Sequence, residues 1–369
     1  MDHLTKKLKV LLVAERKDEL FEWLSLMLRE AFIVEEFYMH SSIFNPPFFL
    51  KRYYSIVKNF RRLAKVFKPD KILIYGKALT TIWIFIFLIR FFKLKIEIIL
   101  FRYDIEYFRP YPNGLKIKIG HFITKRLEKF CLIKSDKIIH KGLENELEFL
   151  KFYNKIEDKP HYLFREFINS RLIRNYNPYL KLSKKDGEFH LVSVGAIPSE
   201  SVPHSDSIWE FYPKITNQKL HLHLYMNVDK STERKFKKIE SQNAHFHYEG
   251  YLSKKKLINE LAKYDYGLYL SNWNREGENN NLFVTGAMGY RIFDYISAHL
   301  PIICSDENVA VTNLINRYGI GIYVPQREIF LLGTKLEKDK ITYLKRIRNI
   351  NKAIDSLSSH RNFFKFIYS

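Results

Sequence analysis

The chain has 369 residues, 46% of them hydrophobic, and a formal net charge of +21. It is long enough for two domains with full cores and too apolar to be intrinsically disordered. Its two cysteines, Cys131 and Cys304, lie far apart and imply neither a disulfide framework nor a metal-binding spacing, so a reducing cytoplasm is the expected compartment.

The first apolar run, Lys9 to Ala14 (KVLLVA), is too short for a signal-peptide core and is followed at once by charge. Its unbroken hydrophobicity predicts a parallel strand buried on both faces. Helical spacing follows over Glu19–Ala31, and a basic amphipathic helix over Leu50–Phe67. Pro69-Asp70 introduces a second buried strand, Lys71–Tyr75. An apolar helix is predicted over Leu79–Phe92, a strand over Ile96–Phe101, a long helix over Leu115–Ile133 and a strand over Asp136–His140. Strands alternating with helices argue for a parallel sheet covered on both faces.

The positive charge is concentrated in this half. Between Phe48 and Lys141 there are 22 Lys/Arg against 6 Asp/Glu, an excess of 16. Such a patch attracts nucleic acid, anionic lipid or an acidic substrate. The apolar run TTIWIFIFLIRFF (80–92) lies inside it, interrupted by Arg90 and shorter than the roughly 20 residues a spanning helix needs. It predicts a buried or interfacial helix, and basic residues beside aromatics suit an anionic bilayer surface.

A polar stretch, NYNPYLKLSKKDGE (175–188), predicts a linker, after which the alternation restarts. Strands are expected at His190–Val194, Leu220–Tyr225, His245–Tyr248, Tyr266–Leu270, Pro301–Cys304 and Ile320–Val324, and helices at Leu257–Lys263, around Met288 and over Lys335–Ser356. Two doubly wound halves imply a cleft beyond the carboxyl ends of their strands as the default site. His221, His223, His245 and His247 form i, i+2 pairs of the kind that bind metal, but the expectation is that no Cys or carboxylate completes a site. Core or sheet-face histidines are the expectation, with no metal.

The densest signal is GAMGYRIFDYISAHLPIICSD (286–306). Small residues open an amphipathic helix, Pro301 ends it, and a short apolar strand follows. A helix start of this kind leaves backbone N–H groups and a positive dipole end for an anion. Arg291 offers a fork suited to phosphate. Asp294, about one turn inside, suits sugar hydroxyls.

This stretch resembles the donor-site helix of retaining GT-B glycosyltransferases, the family 4-like group, whose usual form is small-Pro-x-Lys-x-x-Glu-Tyr-x-Ala-x-Gly-x-Pro-Val-Ile. Arg291 stands at the Lys position and Asp294 at the Glu position, while Tyr295, Ala298 and Pro301 match and His299 replaces Gly. The first acid of the family's Glu-x7-Glu pair is absent, since Gly286 stands there. The segments 127–150, 190–201 and 245–272 resemble other GT-B segments, so the likeness covers most of the chain.

The resemblance implies an α/β GT-B architecture of two Rossmann-like domains: 1–175 on the acceptor side, 188–345 binding a nucleotide sugar, and a helical tail, 346–369, packing back on the first domain. It implies a metal-independent, retaining glycosyltransferase without a cofactor, acting on a glycan or lipid-linked acceptor, and the basic, apolar first domain points to docking on an anionic inner membrane face. Catalysis is assigned to Asp104 and Arg291. Donor binding is assigned to Gly195, Ser199, His204, Gly250, Tyr251, Asn281, Met288, Gly289, Tyr290, Arg291 and Asp294. Other readings stand beside these. Arg291 and Asp294 are also what exposed helix residues look like, Asp104 equally caps a helix or pairs with Arg102, and His204 suits a surface loop. The rival functions are an inactive GT-B scaffold, a nucleotide-sugar epimerase, and a basic nucleic-acid-binding protein, although no nucleic-acid module is recognisable and no specific nucleic-acid partner is expected.

Overall fold

The computed structural model describes residues 7–14, 17–38, 49–76, 79–92, 94–102, 115–141, 159–165, 167–196, 206–270, 288–305 and 309–369. They form two compact units. One holds the first sheet together with His360–Ser369, and the other holds the second sheet.

The first unit is a six-stranded parallel sheet in the order β2-β1-β3-β4-β5-β6. Its strands are β1 (Lys9–Ala14), β2 (Ile33–Tyr38), β3 (Lys71–Gly76), β4 (Glu97–Arg102), β5 (Lys137–His140) and β6 (His161–Leu163). Helices α1 (Glu19–Leu28), α2 (Phe49–Phe67), α3 (Leu79–Phe91) and α4 (Leu115–Lys134) connect them. The three predicted apolar runs are β1, β3 and β4, and five residues of each of β1 and β4 and all six of β3 are buried. Sequence periodicity does not reveal β2, because it is an edge strand whose Ile33 and Glu35 face solvent.

Helix α3, predicted as buried or interfacial, is a core helix. Ile82, Phe85, Ile86 and Ile89 pack on Leu11, Ile74 and Leu100 of the sheet. Arg90 at its end is engaged at 2.8 Å by both the Lys134 carbonyl and Asp136. Among the described residues no helix is long and apolar enough to cross a membrane.

Aspartates just before strands satisfy the first amides of their neighbours. Asp70 accepts from Lys9 N–H at 2.7 Å and Asp136 from Ile98 N–H at 2.7 Å. In the second unit Asp265 accepts from His190 N–H at 2.8 Å. Each amide would otherwise be an unpaired donor at a sheet end, so the Asp-then-apolar signature in PDKILIY, SDKIIH and YDYGLYL has a physical reason.

The second sheet has the order β12-β11-β10-β7-β8-β9, all parallel. Its strands are β7 (His190–Ala196), β8 (His221–Asn227), β9 (Phe246–Gly250), β10 (Tyr266–Tyr269), β11 (Ile302–Cys304) and β12 (Gly321–Tyr323). In chain order within the unit this is the doubly wound 3-2-1-4-5-6 arrangement, whose switch point lies between β7 and β10. The helices are α5 (Ser183–Asp186), α6 (Asp206–Thr216), α7 (Lys230–Glu240), α8 (Lys254–Leu261), α9 (Arg291–Ser297), α10 (Val309–Tyr318), α11 (Leu332–Asp339) and α12 (Tyr343–Leu357). The helix expected over Lys335–Ser356 is therefore two helices. They meet at a turn where Asp339 accepts from Thr342 Oγ1 at 2.6 Å and from Arg346 Nε at 2.9 Å.

The stretch expected as a linker carries one 3₁₀ turn, Pro178–Leu180, and α5. Lys181 within it is buried and donates to the Tyr264 carbonyl.

The last helix, α13 (Arg361–Tyr368), packs on the first sheet. Phe363 is fully buried with its ring 4.8 Å from that of Phe164. Lys71 donates to the Tyr368 carbonyl at 3.1 Å and Lys137 to the Phe366 carbonyl at 3.2 Å. Two cations at the negative end of a helix are a favourable arrangement. Both lysines also pair with Glu97, at 2.7 and 2.9 Å.

Candidate functional site

The site lies at the switch point of the second sheet, where β7 and β10 part. Their register runs only over Leu191–Tyr266 and Val192–Gly267. Beyond it Tyr295, fully buried on α9, fills the gap. Its hydroxyl accepts from Val194 N–H at 3.1 Å and reaches the Leu268 carbonyl at 3.1 Å. One phenol thus replaces the ladder contacts the diverging strands lose. Burial pushes that phenol up to about 12, against the opposing pull of Arg291, so it stays a donor. Gly267 makes room for the ring, since a Cβ there would meet Tyr295 ring carbons at 2.6 Å.

Arg291, the first residue of α9, crosses to the carboxyl end of β7. Its Nη1 donates to the Val194 carbonyl at 3.3 Å and its guanidinium lies 4.2 Å from the centre of the Tyr269 ring. The aromatic face and the carbonyl fix the fork. Gly195, the next residue of β7, has φ 144, a backbone conformation that excludes most side chains beside the guanidinium.

Asp294 lies one turn into α9 and is 9% exposed, so it is not the exposed helix acid that the sequence also allowed. Its Oδ1 pairs with Lys254 Nζ at 3.1 Å, and Lys254 also lies 5.9 Å from the Tyr290 ring centre. Lys254 opens α8 after the turn through Gly250 and the exposed Tyr251. Sequence reasoning passed over this lysine. Its signal was the run Ser253-Lys254-Lys255-Lys256 directly after the singled-out Gly-Tyr pair.

The expected helix start is placed differently. The helix begins at Arg291, not near Met288. Met288 is 1% exposed, and Gly289 N–H donates to the Tyr269 hydroxyl at 3.1 Å. Met288 and the Gly289 amide thus serve packing and an internal hydrogen bond, which removes them from the anion-binding amides expected there. Tyr290 packs edge-on against Phe167 with ring centres 5.0 Å apart. The structure therefore brings together Gly195, Tyr290, Arg291 and Asp294 from the expected set and adds Tyr269 and Lys254. Asp104, Ser199, His204 and Asn281 lie outside the described residues. Arg102, a suggested partner of Asp104, is bound to Glu128 at 3.0 Å with both side chains buried.

The paired histidines lie at the other end of the sheet and are joined by His190. Against the expectation that no carboxylate completes the group, Asp186, Glu188 and Glu249 stand against these rings, Glu249 only two residues after His247. Burial lowers the His221 and His223 rings below the usual range. It drives His247 down to about 4, helped by repulsion from His223 and His221.

Residues 209–359 match the family model described as Glucosyltransferase 3-like, C-terminal domain. No curated protein sequence matches the chain. Among solved structures it is similar to HepE from Anabaena in complex with UDP, at 12% identity and TM-score 0.60, covering 95% of this chain and 94% of that one. It is also similar to a sucrose-phosphate synthase from Thermosynechococcus elongatus, at 11% identity and TM-score 0.62, covering 96% of each. The lipopolysaccharide outer core galactosyltransferase WaaB in its apo form matches at 12% identity and TM-score 0.61, covering 98% and 99%. At such identities the likeness establishes the fold, which is GT-B.

Proposed function

From the premise that this chain is a divergent protein of the GT-B glycosyltransferase fold, we propose that it transfers a sugar from a nucleotide-sugar donor to a glycan or lipid-linked acceptor. The observation that carries this reading is the Arg291 guanidinium, held between Tyr269 and the carboxyl end of β7 at the sheet's switch point. Ligands of doubly wound sheets bind at that place. Apart from Nη1, no guanidinium N–H of Arg291 has a partner among the described residues.

In this reading Arg291 and Lys254 stabilise the diphosphate as it leaves with negative charge, the term that usually dominates such catalysis. Two fixed cations do this without a metal. Asp294 holds Lys254 through Oδ1 and, as a carboxylate with several acceptor positions, also takes ribose hydroxyls. The exposed Tyr251 ring, three residues before Lys254, offers a face for the base. Ser199, His204 and Asn281 complete the donor contacts, and Asp104 after β4 aligns the acceptor hydroxyl. Transfer proceeds with retention, as in the group the donor helix resembles.

The basic first unit docks on an anionic, inner membrane face. Support comes from the surplus of Lys/Arg between Phe48 and Lys141 and from Phe87, Phe122 and Ile123, which are exposed on α3 and α4. Sedimentation with anionic and neutral vesicles tests this, and equal binding to neutral vesicles at high salt refutes the electrostatic part.

Calorimetry with UDP, GDP and ADP tests the donor site. One diphosphate binds the wild type, and Arg291→Ala and Lys254→Ala each weaken it at least tenfold. Turnover with radiolabelled nucleotide sugars and a membrane-lipid extract separates an active enzyme from an inactive scaffold. If no nucleoside diphosphate binds, or the variants bind it as the wild type does, the proposal fails.

A further inference from the structure

At the amino-terminal end of the second sheet, donor atoms from α5, β7, β8 and the approach to β9 converge on one ring nitrogen, His221 Nε2. Glu188 Oε2 lies 2.9 Å from it and Asp186 Oδ2 lies 4.0 Å away. His190 and His245 each offer a ring nitrogen within 4.8 Å of the other ligand atoms of a trio that shares His221. Glu188 Oε2 is also 3.3 Å from His245 Nε2, and Asp186 Oδ2 is 2.9 Å from His190 Nε2. Bonds of about 2.0–2.1 Å in a tetrahedral zinc site put ligand atoms roughly 3.4 Å apart. The contacts here fall on either side of that value, and the His190 and His221 rings, stacked with centres 4.3 Å apart, must turn for both to face one ion.

The rings carry the outer shell that metal-binding histidines use. His221 Nδ1 is 2.9 Å from His247 Nε2, and His190 Nδ1 is 2.9 Å from His223 Nε2. His223 Nδ1 in turn faces Glu249 at 2.9 Å. Read from Glu249 backwards, the carboxylate takes the His223 Nδ1 proton, which leaves His223 Nε2 as acceptor for His190 Nδ1–H. The lone pair of a neutral His190 Nε2 then points at Asp186. A lone pair and a carboxylate facing each other repel unless a proton or a metal ion lies between them, and either occupant fits the 2.9 Å contact. Hydrogen bonds on the far nitrogen that fix tautomer and ring orientation are the usual support of ligating histidines.

We propose that this cluster binds one divalent transition-metal ion of the zinc class, with His221 as the shared ligand and three of Asp186, Glu188, His190 and His245 supplying the remaining positions of a four-coordinate site. Mixed imidazole and carboxylate donors suit zinc-like ions better than calcium or magnesium. The ion ties α5, β7, β8 and the entry to β9 together. It does not take part in sugar transfer, because four residue steps of β7 separate His190 from Val194, whose carbonyl holds Arg291, a span of about 13 Å.

The test uses the full-length chain, stripped with chelator and dialysed. Calorimetry with zinc chloride is expected to give one ion per chain, and zinc is expected to raise the melting temperature. Cobalt(II) is expected to give visible bands of a tetrahedral nitrogen–oxygen site. His221→Gln and Glu188→Gln each weaken zinc binding at least tenfold, whereas His161→Gln in the first unit does not. Circular dichroism of the metal-free variants checks that they fold. Absence of stoichiometric binding by the wild type overturns the proposal, and so does equal affinity in folded His221→Gln and Glu188→Gln. Loss of nucleotide binding without loss of zinc binding would bear only on the Arg291 site.

Discussion

Removing one oxygen atom, in Tyr295→Phe, tests the account of the switch point. The Tyr295 hydroxyl is fully buried and is the partner of Val194 N–H and of the Leu268 carbonyl, each at 3.1 Å. Phenylalanine keeps the ring packing over Gly267 and leaves both backbone groups without that partner. A buried amide stripped of its acceptor costs about 1–3 kcal/mol, and the lost bond to a carbonyl adds about 0.5–1.5 kcal/mol. The expected destabilisation is therefore about 2–4 kcal/mol. It should be read by urea denaturation followed by circular dichroism, and by hydrogen exchange of the peptide containing β7. Protection of the Val194 amide should fall. Because Val194 also supplies the carbonyl that holds Arg291, nucleoside diphosphate affinity should fall with it. If Tyr295→Phe left stability within about 0.5 kcal/mol of wild type, well under the cost of an unpaired buried amide, and Val194 protection unchanged, the idea that this hydroxyl replaces the missing ladder contacts would be refuted.

Four further outcomes are expected. Gly267→Ala places a Cβ 2.6 Å from the Tyr295 ring, so overpacking should cost at least about 1–3 kcal/mol in the same urea assay. Phe363→Ala removes a fully buried ring that packs on Phe164 and should cost about 3–5 kcal/mol; a melt indistinguishable from wild type would show that α13 is not docked. Burial raises the Asp339 carboxyl, but hydrogen bonds from Arg346, Thr342 and Tyr266 outweigh this and hold it below the usual value. Its folded form thus binds protons less readily than its unfolded form, so its stabilisation is full above the ordinary carboxylate value of about 3.9 and is lost as pH falls through the lowered folded value. Asp339→Asn should be less stable at neutral pH and should lose part of the wild type's decline in acid, measured by urea midpoints across pH. Cys131 and Cys304 are both fully buried, and burial pushes the Cys131 thiol up to about 12. Ellman's reagent should therefore find no fast thiol in the native protein and two after denaturation, and a fast native thiol would contradict this packing.

Much of the fold was legible. KVLLVA, KILIY and the run ending at Phe101 are strands because continuous apolar sequence can be satisfied only with both faces covered, and they became β1, β3 and β4. Edge strand β2 was not legible, since its residues alternate poorly and its glutamates belong to a half-exposed edge. Nor was the break between α11 and α12, where helical periodicity continues in sequence but Asp339 gathers Thr342 and Arg346 around a turn.

At the candidate site the sequence by itself determined which residues arrive on one helix, because Arg291, Asp294 and Tyr295 are fixed relative to one another by helical geometry. Tertiary structure alone decided what they meet. The Tyr269 ring under Arg291, the Val194 carbonyl beside it, Lys254 against Asp294 and the Tyr269 hydroxyl on Gly289 N–H come from other strands and turns. The histidines show the same division. Alternation marked His221 with His223 and His245 with His247 as same-face pairs, yet only parallel pairing set His190 beside His221, and only the turn around Gly187 brought Asp186 and Glu188 to them. Local periodicity encodes which face a side chain takes, whereas its neighbour across a parallel ladder depends on strand order and register.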